Sequence, residues 1–172
     1  MRLVKCIVYY LLTGFMSFFL GRVLSKRNIK YTSFPFVSFS FEKNGTIYER
    51  LNIKSWQKKI PDMSKLFPGI MQKKEILSSP GLSELENMIK ETCIAEITHV
   101  FLMITGLGCF RFFRTKTAVK VYIIYFFANL PYIIVQRYNR PRLKRLYAAC
   151  LKRTSAPCDE SRDENVCSRP RF

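Results

Sequence analysis

Glu96 and His99 stand three residues apart in the stretch ETCIAEITHV (91–100), and His99 is the only histidine of the chain. A carboxylate one helical turn from an imidazole can hold its tautomer and raise its basicity. Such an imidazole can take a proton from an attacking hydroxyl, as acyl transfer to an alcohol requires. Glu91 is a further carboxylate just off the same face. A second concentration lies in IIVQRYNRPRL (133–143), where Gln136, Arg137, Asn139, Arg140 and Arg142 close an apolar run. Guanidinium forks suit phosphate oxygens, such as those of a coenzyme A thioester, and neutral amides suit a developing oxyanion. Each group has a plainer competing reading: a structural hydrogen bond for the Glu/His pair, and lipid-phosphate anchoring for the arginines.

These residues need elements that bring them together. Ser83, with Glu86 three residues on, predicts a capping box opening a helix that runs to about Phe110. At about 100° per residue, Leu85, Met88, Ile89, Thr92, Ala95, Glu96 and His99 share one face, and its apolar members mark that face as buried. A second apolar run, Val121 to Val135, is short for a membrane span and holds Asn129 and Pro131, which argues for a kinked, re-entrant or protein-packed helix. If the two runs form an antiparallel hairpin, Glu96 and His99 come to lie beside 136–142. Near the N-terminus, Cys6 to Leu24 approaches the roughly 20 residues that a span needs and lacks a small-residue cleavage pair. An uncleaved signal-anchor helix is the expectation there.

The formal net charge of +17 on a chain that is 48% hydrophobic, with 15 phenylalanines, fits a membrane protein facing anionic headgroups better than a soluble domain. No signature of base or phosphate-backbone recognition accompanies the charge, so nucleic acid is not an expected partner. On the hairpin topology, residues 25–90 carry twelve Lys/Arg and 137–172 ten, against six at the opposite side, which predicts a cytoplasmic active face in the cell membrane. Val37, Phe39 and Phe41 alternate with serines before Asn44-Gly45, predicting a β-hairpin within 25–82. The basic, aromatic stretch from Trp56 to Met71 reads as a headgroup-level element or as a loop packed on that hairpin. The six cysteines form no C-x-x-C pair and predict no metal site. Cys93 and Cys109 read as small hydrophobes, and Cys158 with Cys167 could pair in a polar tail. The predicted organisation is a mainly α, small integral membrane protein with a short β-hairpin insertion: a signal-anchor at 1–24, a basic interfacial region at 25–82, a helical membrane hairpin at 83–153, and a disordered tail at 154–172.

The blocks NLPYIIVQRYNRPRL (129–143), ETCIAEITHV (91–100) and SFSFEKNG (38–45), followed by a Trp/Lys-rich stretch at 54–62, resemble the glycosyl-diaponeurosporenoate acyltransferase family of carotenoid biosynthesis in order and spacing. The resemblance covers roughly residues 30 to 152. It implies an enzyme that esterifies the sugar of a glycosylated C30 carotenoid acid with a fatty acyl group, the last step to a staphyloxanthin-type pigment. It implies no bound cofactor, an acyl thioester of coenzyme A or a carrier protein as co-substrate, and the membrane and other pigment enzymes as surroundings. By position it implies Glu91, Glu96 and His99 as catalytic residues and Gln136, Arg137, Asn139, Arg140 and Arg142 as substrate-binding ones. Val100, where the family pattern has an aromatic residue, is a departure. A non-catalytic membrane protein that binds anionic lipid or scaffolds pigment enzymes is the alternative from the residues alone.

Overall fold

A computed structural model describes residues 2–61, 81–113 and 115–155. Three long helices dominate: α1 (Arg2–Ser25), α3 (Leu82–Gly106) and α5 (Lys116–Ser155). Two short ones, α2 (Ile53–Trp56) and α4 (Cys109–Phe112), lie in the connections. All three long helices are long and apolar enough to cross a membrane. Their outward faces are oily: Leu11, Phe15 and Met16 on α1, Ile104 on α3, and Ile124 and Phe127 on α5 are more than half exposed. Water would penalise such surfaces, whereas hydrocarbon accepts them.

α3 and α5 run antiparallel and α1 packs against both. At one end of the bundle, Cys6, Tyr10, Cys109 and Ala118 form a buried cluster, ringed by Tyr9, Phe110, Tyr122 and Tyr125. Close approach there depends on Gly106, where an added Cβ would lie 3.2–3.3 Å from the rings of Tyr122, Tyr125 and Tyr10. Phenols from α1 reach the carbonyls at the end of α3: Tyr9 donates to Thr105 O at 2.7 Å, an oxygen that also accepts the Gly108 N–H at 2.9 Å, and Tyr10 donates to Gly106 O at 3.2 Å. At the other end of the bundle, Gly21 of α1 faces Thr98 of α3.

Several expectations are corrected. α5 is 40 residues long and continues through Pro131 and Pro141, so the short second span is one segment of a rod of about 60 Å. Hydrocarbon is roughly 30 Å thick, so close to half of α5 projects beyond it. α3 starts one residue before Ser83, with Gly81 at the N-cap position and no side-chain cap. The expected capping box is absent because Ser83 lies inside the first turn and not at the N-cap, and Glu86 pairs forward with Lys90, 2.8 Å away at i+4.

The predicted β-hairpin is also absent, and no strand occurs among the described residues. Asn44 (φ 55, ψ 37) and Gly45 (φ 90, ψ −6) do supply a turn with positive φ, but Lys43 is left-handed as well, and the flanks coil as 3₁₀ turns through Ser40–Leu51. Glu42 explains the choice. Its carboxylate is buried and accepts the Phe39 backbone N–H at 2.8 Å, a donor that a strand would have offered across a ladder. The expected readings of residues 62–71, of Cys158 with Cys167 and of the tail beyond Ser155 lie outside the described residues.

Candidate active site at the end of the helical hairpin

Arg137 and Arg140, one turn apart on α5, grip the two oxygens of Glu96 on α3. Arg137 Nε donates to Oε1 at 2.7 Å, and Arg140 Nη2 donates to Oε2. Arg140 also donates to Thr92 through Nε (Oγ1, 2.9 Å) and Nη2 (carbonyl, 3.1 Å), and to Phe36 O through Nη1 at 3.2 Å. Arg137 extends the network outward, from Nη1 to Glu42 Oε1 at 2.7 Å and from Nη2 to Pro35 O at 2.9 Å. Tyr48 donates to the same Glu42 oxygen at 2.6 Å. Burial, then that hydrogen bond to Glu42, pushes the Tyr48 phenol well above its usual range.

Arg140, Glu96, Glu42 and Thr92 are each at least nine-tenths buried. Two carboxylates and two guanidinium groups cancel in charge, and every nitrogen of both arginines meets a protein acceptor. That is the condition under which buried ions are tolerated. The aromatic residues of the 34–41 segment complete the packing: Phe39 lies 4.5 Å from the Arg137 guanidinium carbon and Phe36 5.3 Å from that of Arg140. The dense basic stretch after the last apolar run thus becomes intelligible residue by residue. Arg137 and Arg140 clamp α3 and the 34–42 segment to α5. Tyr138, on the opposite side of α5 and fully buried, meets the 3₁₀ segment, with Glu49 Oε1 3.5 Å from its hydroxyl. Arg142 stacks on Tyr138 at 4.4 Å and lies 3.8 Å from Glu49.

His99 occupies the next turn inward from Glu96, about 4.5 Å further along α3. Its Nδ1 lies 2.9 Å from Asn129 Oδ1, and its ring stacks on Tyr132 with centroids 4.5 Å apart and planes 13° from parallel. Asn129 is buried, and its Nδ2 donates to the Tyr125 carbonyl at 2.8 Å. A carbonyl can only accept, so the amide orientation follows: Nδ2 faces Tyr125 and Oδ1 faces the histidine. Nδ1 of His99 is therefore the donor in this contact, and when the ring is neutral its basic lone pair lies on Nε2. The orienting partner of Nδ1 is Asn129 and not Glu96, whose oxygens are taken by the arginines.

The remaining sequence-derived candidates are placed as follows. Glu91 is half-buried and about 140° around α3 from Glu96. Gln136 and Asn139 are half-buried, one turn apart on α5, and neither amide has a hydrogen-bond partner among the described residues. Asn129, Tyr132, Thr92 and Glu42 are site residues that sequence reasoning did not assign to it. An asparagine inside an apolar run is the available signal for the first; it points to a kinked, re-entrant or protein-packed helix, and the buried Asn129 on α5 against α3 fits the last of these without naming its partner. Nothing local marks Glu42, which reaches the site only because the 34–42 segment folds back over α5. Among the described residues no three His, Cys, Asp or Glu side chains converge as a metal site.

The family model for glycosyl-4,4'-diaponeurosporenoate acyltransferase matches residues 30–149. A glycosyl-4,4'-diaponeurosporenoate acyltransferase of Staphylococcus aureus strain MRSA252 is 34% identical over 144 residues, covering 82% of this chain and 85% of the relative. Those of strains N315 and USA300 are 33% identical over the same extent. No solved structure matches the chain.

Proposed function

The chain belongs to the glycosyl-4,4'-diaponeurosporenoate acyltransferase family, and from that premise we propose that it transfers a fatty acyl group from a thioester to the sugar hydroxyl of a glycosylated C30 carotenoid acid, with His99 as general base. The observation that carries this reading is the Asn129–His99 hydrogen bond, which leaves Nε2 as the proton acceptor. Both substrates are amphiphiles, so their reacting groups meet near the headgroup level. His99 lies one helical turn inside the charged layer that Glu96, Arg137 and Arg140 define, a depth suited to that meeting.

In the proposed step, Nε2 takes the proton of the sugar hydroxyl as its oxygen attacks the thioester carbonyl. The tetrahedral intermediate collapses with loss of thiolate, which takes the proton back from the imidazolium. One ester and one thiol leave, and the enzyme returns to its starting state. The amides of Gln136 and Asn139, which have no partner among the described residues, are the proposed donors to the intermediate's oxyanion. Arg142, with more than a third of its side chain exposed, is the proposed contact for a donor phosphate. Arg137, Arg140 and Glu96 act as positioning residues, because their polar atoms are turned to one another and to the 35–42 segment. The chain's twelve and ten Lys/Arg at 25–90 and 137–172 favour placing this end in the cytoplasm, where acyl thioesters are made available.

The test is His99→Ala expressed with the pigment pathway, followed by mass spectrometry of lipid extracts. The expected result is loss of the esterified pigment and accumulation of the unesterified glycoside. Full retention of the ester removes His99 from the chemistry and favours a non-catalytic role.

A further inference from the structure

The segment between Tyr31 and Glu49 is pinned to α5 at successive heights. Lys144 donates to Tyr31 O at 2.6 Å, Arg140 to Phe36 O at 3.2 Å, and Arg137 to Pro35 O at 2.9 Å and Glu42 Oε1 at 2.7 Å. The return strand of chain climbs again, past the Arg137 and Tyr138 carbonyls at Gly45 to Arg142 at Glu49. Side chains on a helix lean toward its N-terminus, which for α5 is the direction of the apolar span. The segment therefore descends toward the hydrocarbon, reaches its lowest point at 34–42 beside Arg137, and rises. Directly below Arg137 on α5 come Val135, Ile134 and Ile133.

That lowest point is aromatic and outward-facing. Phe34 is 81% exposed and Phe41 63%, with Val37 and Phe39 also exposed. Phe39 and Phe41 stack with centroids 5.5 Å apart and planes 11° from parallel, and Phe34 sits edge-on to Phe39 at 6.4 Å. Phe39 is held in turn by the Arg137 guanidinium. These three rings are exposed and belong to no buried cluster among the described residues. Around it the same end of the molecule exposes Lys26, Arg27, Lys30, Lys43, Arg50, Lys54, Lys58 and Lys59. Glu49 is the exposed carboxylate among them within the described part of this segment, and Lys54 lies 3.4 Å from it. Phenylalanines at the level where helices leave hydrocarbon, ringed by cations, complement the acyl–headgroup boundary of an anionic bilayer.

We propose that Phe34, Phe39 and Phe41 form a membrane-inserted lip, seated in the boundary between headgroups and acyl chains of an anionic bilayer, with the surrounding lysines and arginines on lipid phosphates. The occupant of this surface is the bilayer itself, independently of which acyl transfer the site performs. The lip hangs from Arg137 and Glu42, so it fixes the height of the site relative to the lipid from which amphiphilic substrates enter.

The experiment uses single-tryptophan reporters in the full-length chain. Trp56→Phe supplies the background, and Phe41→Trp, Phe34→Trp and, as the outer control, Arg145→Trp are made in it. Each is reconstituted into vesicles of phosphatidylcholine and phosphatidylglycerol, with and without lipid brominated near the carbonyl end of its chains. The expected result is blue-shifted emission at 34 and 41 and quenching several-fold stronger than at 145. Emission at the water-exposed wavelength, with quenching no greater than at 145, overturns the lip. So does quenching that arises at 34 and 41 only when a glycosylated carotenoid is added, since the rings then belong to the substrate. Phe34 and Phe41 are both exposed, so either reporter suffices if the other disturbs folding.

Discussion

Arg137 and Glu96, forty-one residues apart in the chain, meet at 2.7 Å across the α3–α5 interface. Their contact joins the ETCIAEITHV and IIVQRYNRPRL blocks and clamps α3 to α5. Replacing Arg140, the more buried of the two arginines, with Ala leaves the Glu96 carboxylate under-paired in a dry environment. Truncating one partner of a buried pair costs about 3–5 kcal/mol. The expected outcome is a large drop in the thermal midpoint of the detergent-solubilised protein, followed by intrinsic fluorescence. Arg140→Lys recovers only part of the loss, because a point charge cannot reproduce three separately directed donors.

Asn129→Leu tests the tautomer of His99 separately from its presence. Without Oδ1 the Nδ1 proton has no fixed acceptor, and the fraction of rings with Nε2 as base falls. The expected outcome is a lower kcat with KM little changed, and a smaller loss than the factor on the order of 10²–10⁴ lost with His99→Ala. Initial rates of ester formation in reconstituted vesicles measure both. A KM effect alone assigns Asn129 to substrate binding.

Tyr48 offers a pH signature. Its phenol is raised above the usual value of about 10, by burial first and then by the Glu42 hydrogen bond. The group is neutral when folded and ionises sooner when unfolded, so its stabilising contribution is complete below about pH 10. It is then lost progressively as pH rises through the folded-state value. Tyr48→Phe deletes the contribution. Wild type is expected to be more stable than the variant near neutrality, with the gap narrowing above pH 10 in denaturation midpoints taken across pH.

Gly45→Ala challenges the turn. At φ 90 a side chain is strained, and the added Cβ would lie 3.3 Å from the Tyr138 carbonyl oxygen. A non-glycine residue in a left-handed conformation costs roughly 1–2 kcal/mol. The expected effect is faster limited proteolysis within 31–51 while the three long helices persist by circular dichroism. Unchanged proteolysis dissociates Gly45 from the clamping of this segment.

How far the sequence could be read follows from the range of the forces involved. The apolar runs that become α1, α3 and α5 are legible because hydrocarbon imposes a length and a composition over some twenty residues. The approach of Glu96 to Arg137 follows from the antiparallel topology, and the face it occupies follows from helical periodicity. The β-hairpin expected over the 38–53 segment does not form because Asn44-Gly45 specifies a turn and not what the flanks pair with. The outcome there rests on Glu42 reaching a guanidinium ninety-five residues away, a contact with no local trace. Asn129 is only partly legible for a related reason. A polar residue in an apolar run signals the need for a partner, but not that the partner is the imidazole of another helix.

Tyr9 and Tyr10 have a consequence for biogenesis. They are made before α3, and they donate to the end of that helix, some ninety residues later in the chain. Thr105 O keeps the Gly108 N–H as a donor without them, but the carbonyl of Gly106 takes its side-chain donor from Tyr10, and a medium without water offers no substitute. α1, made before α3, thus carries a donor that the end of α3 uses, and a chain in which both tyrosines are Phe would leave that helix end short of it.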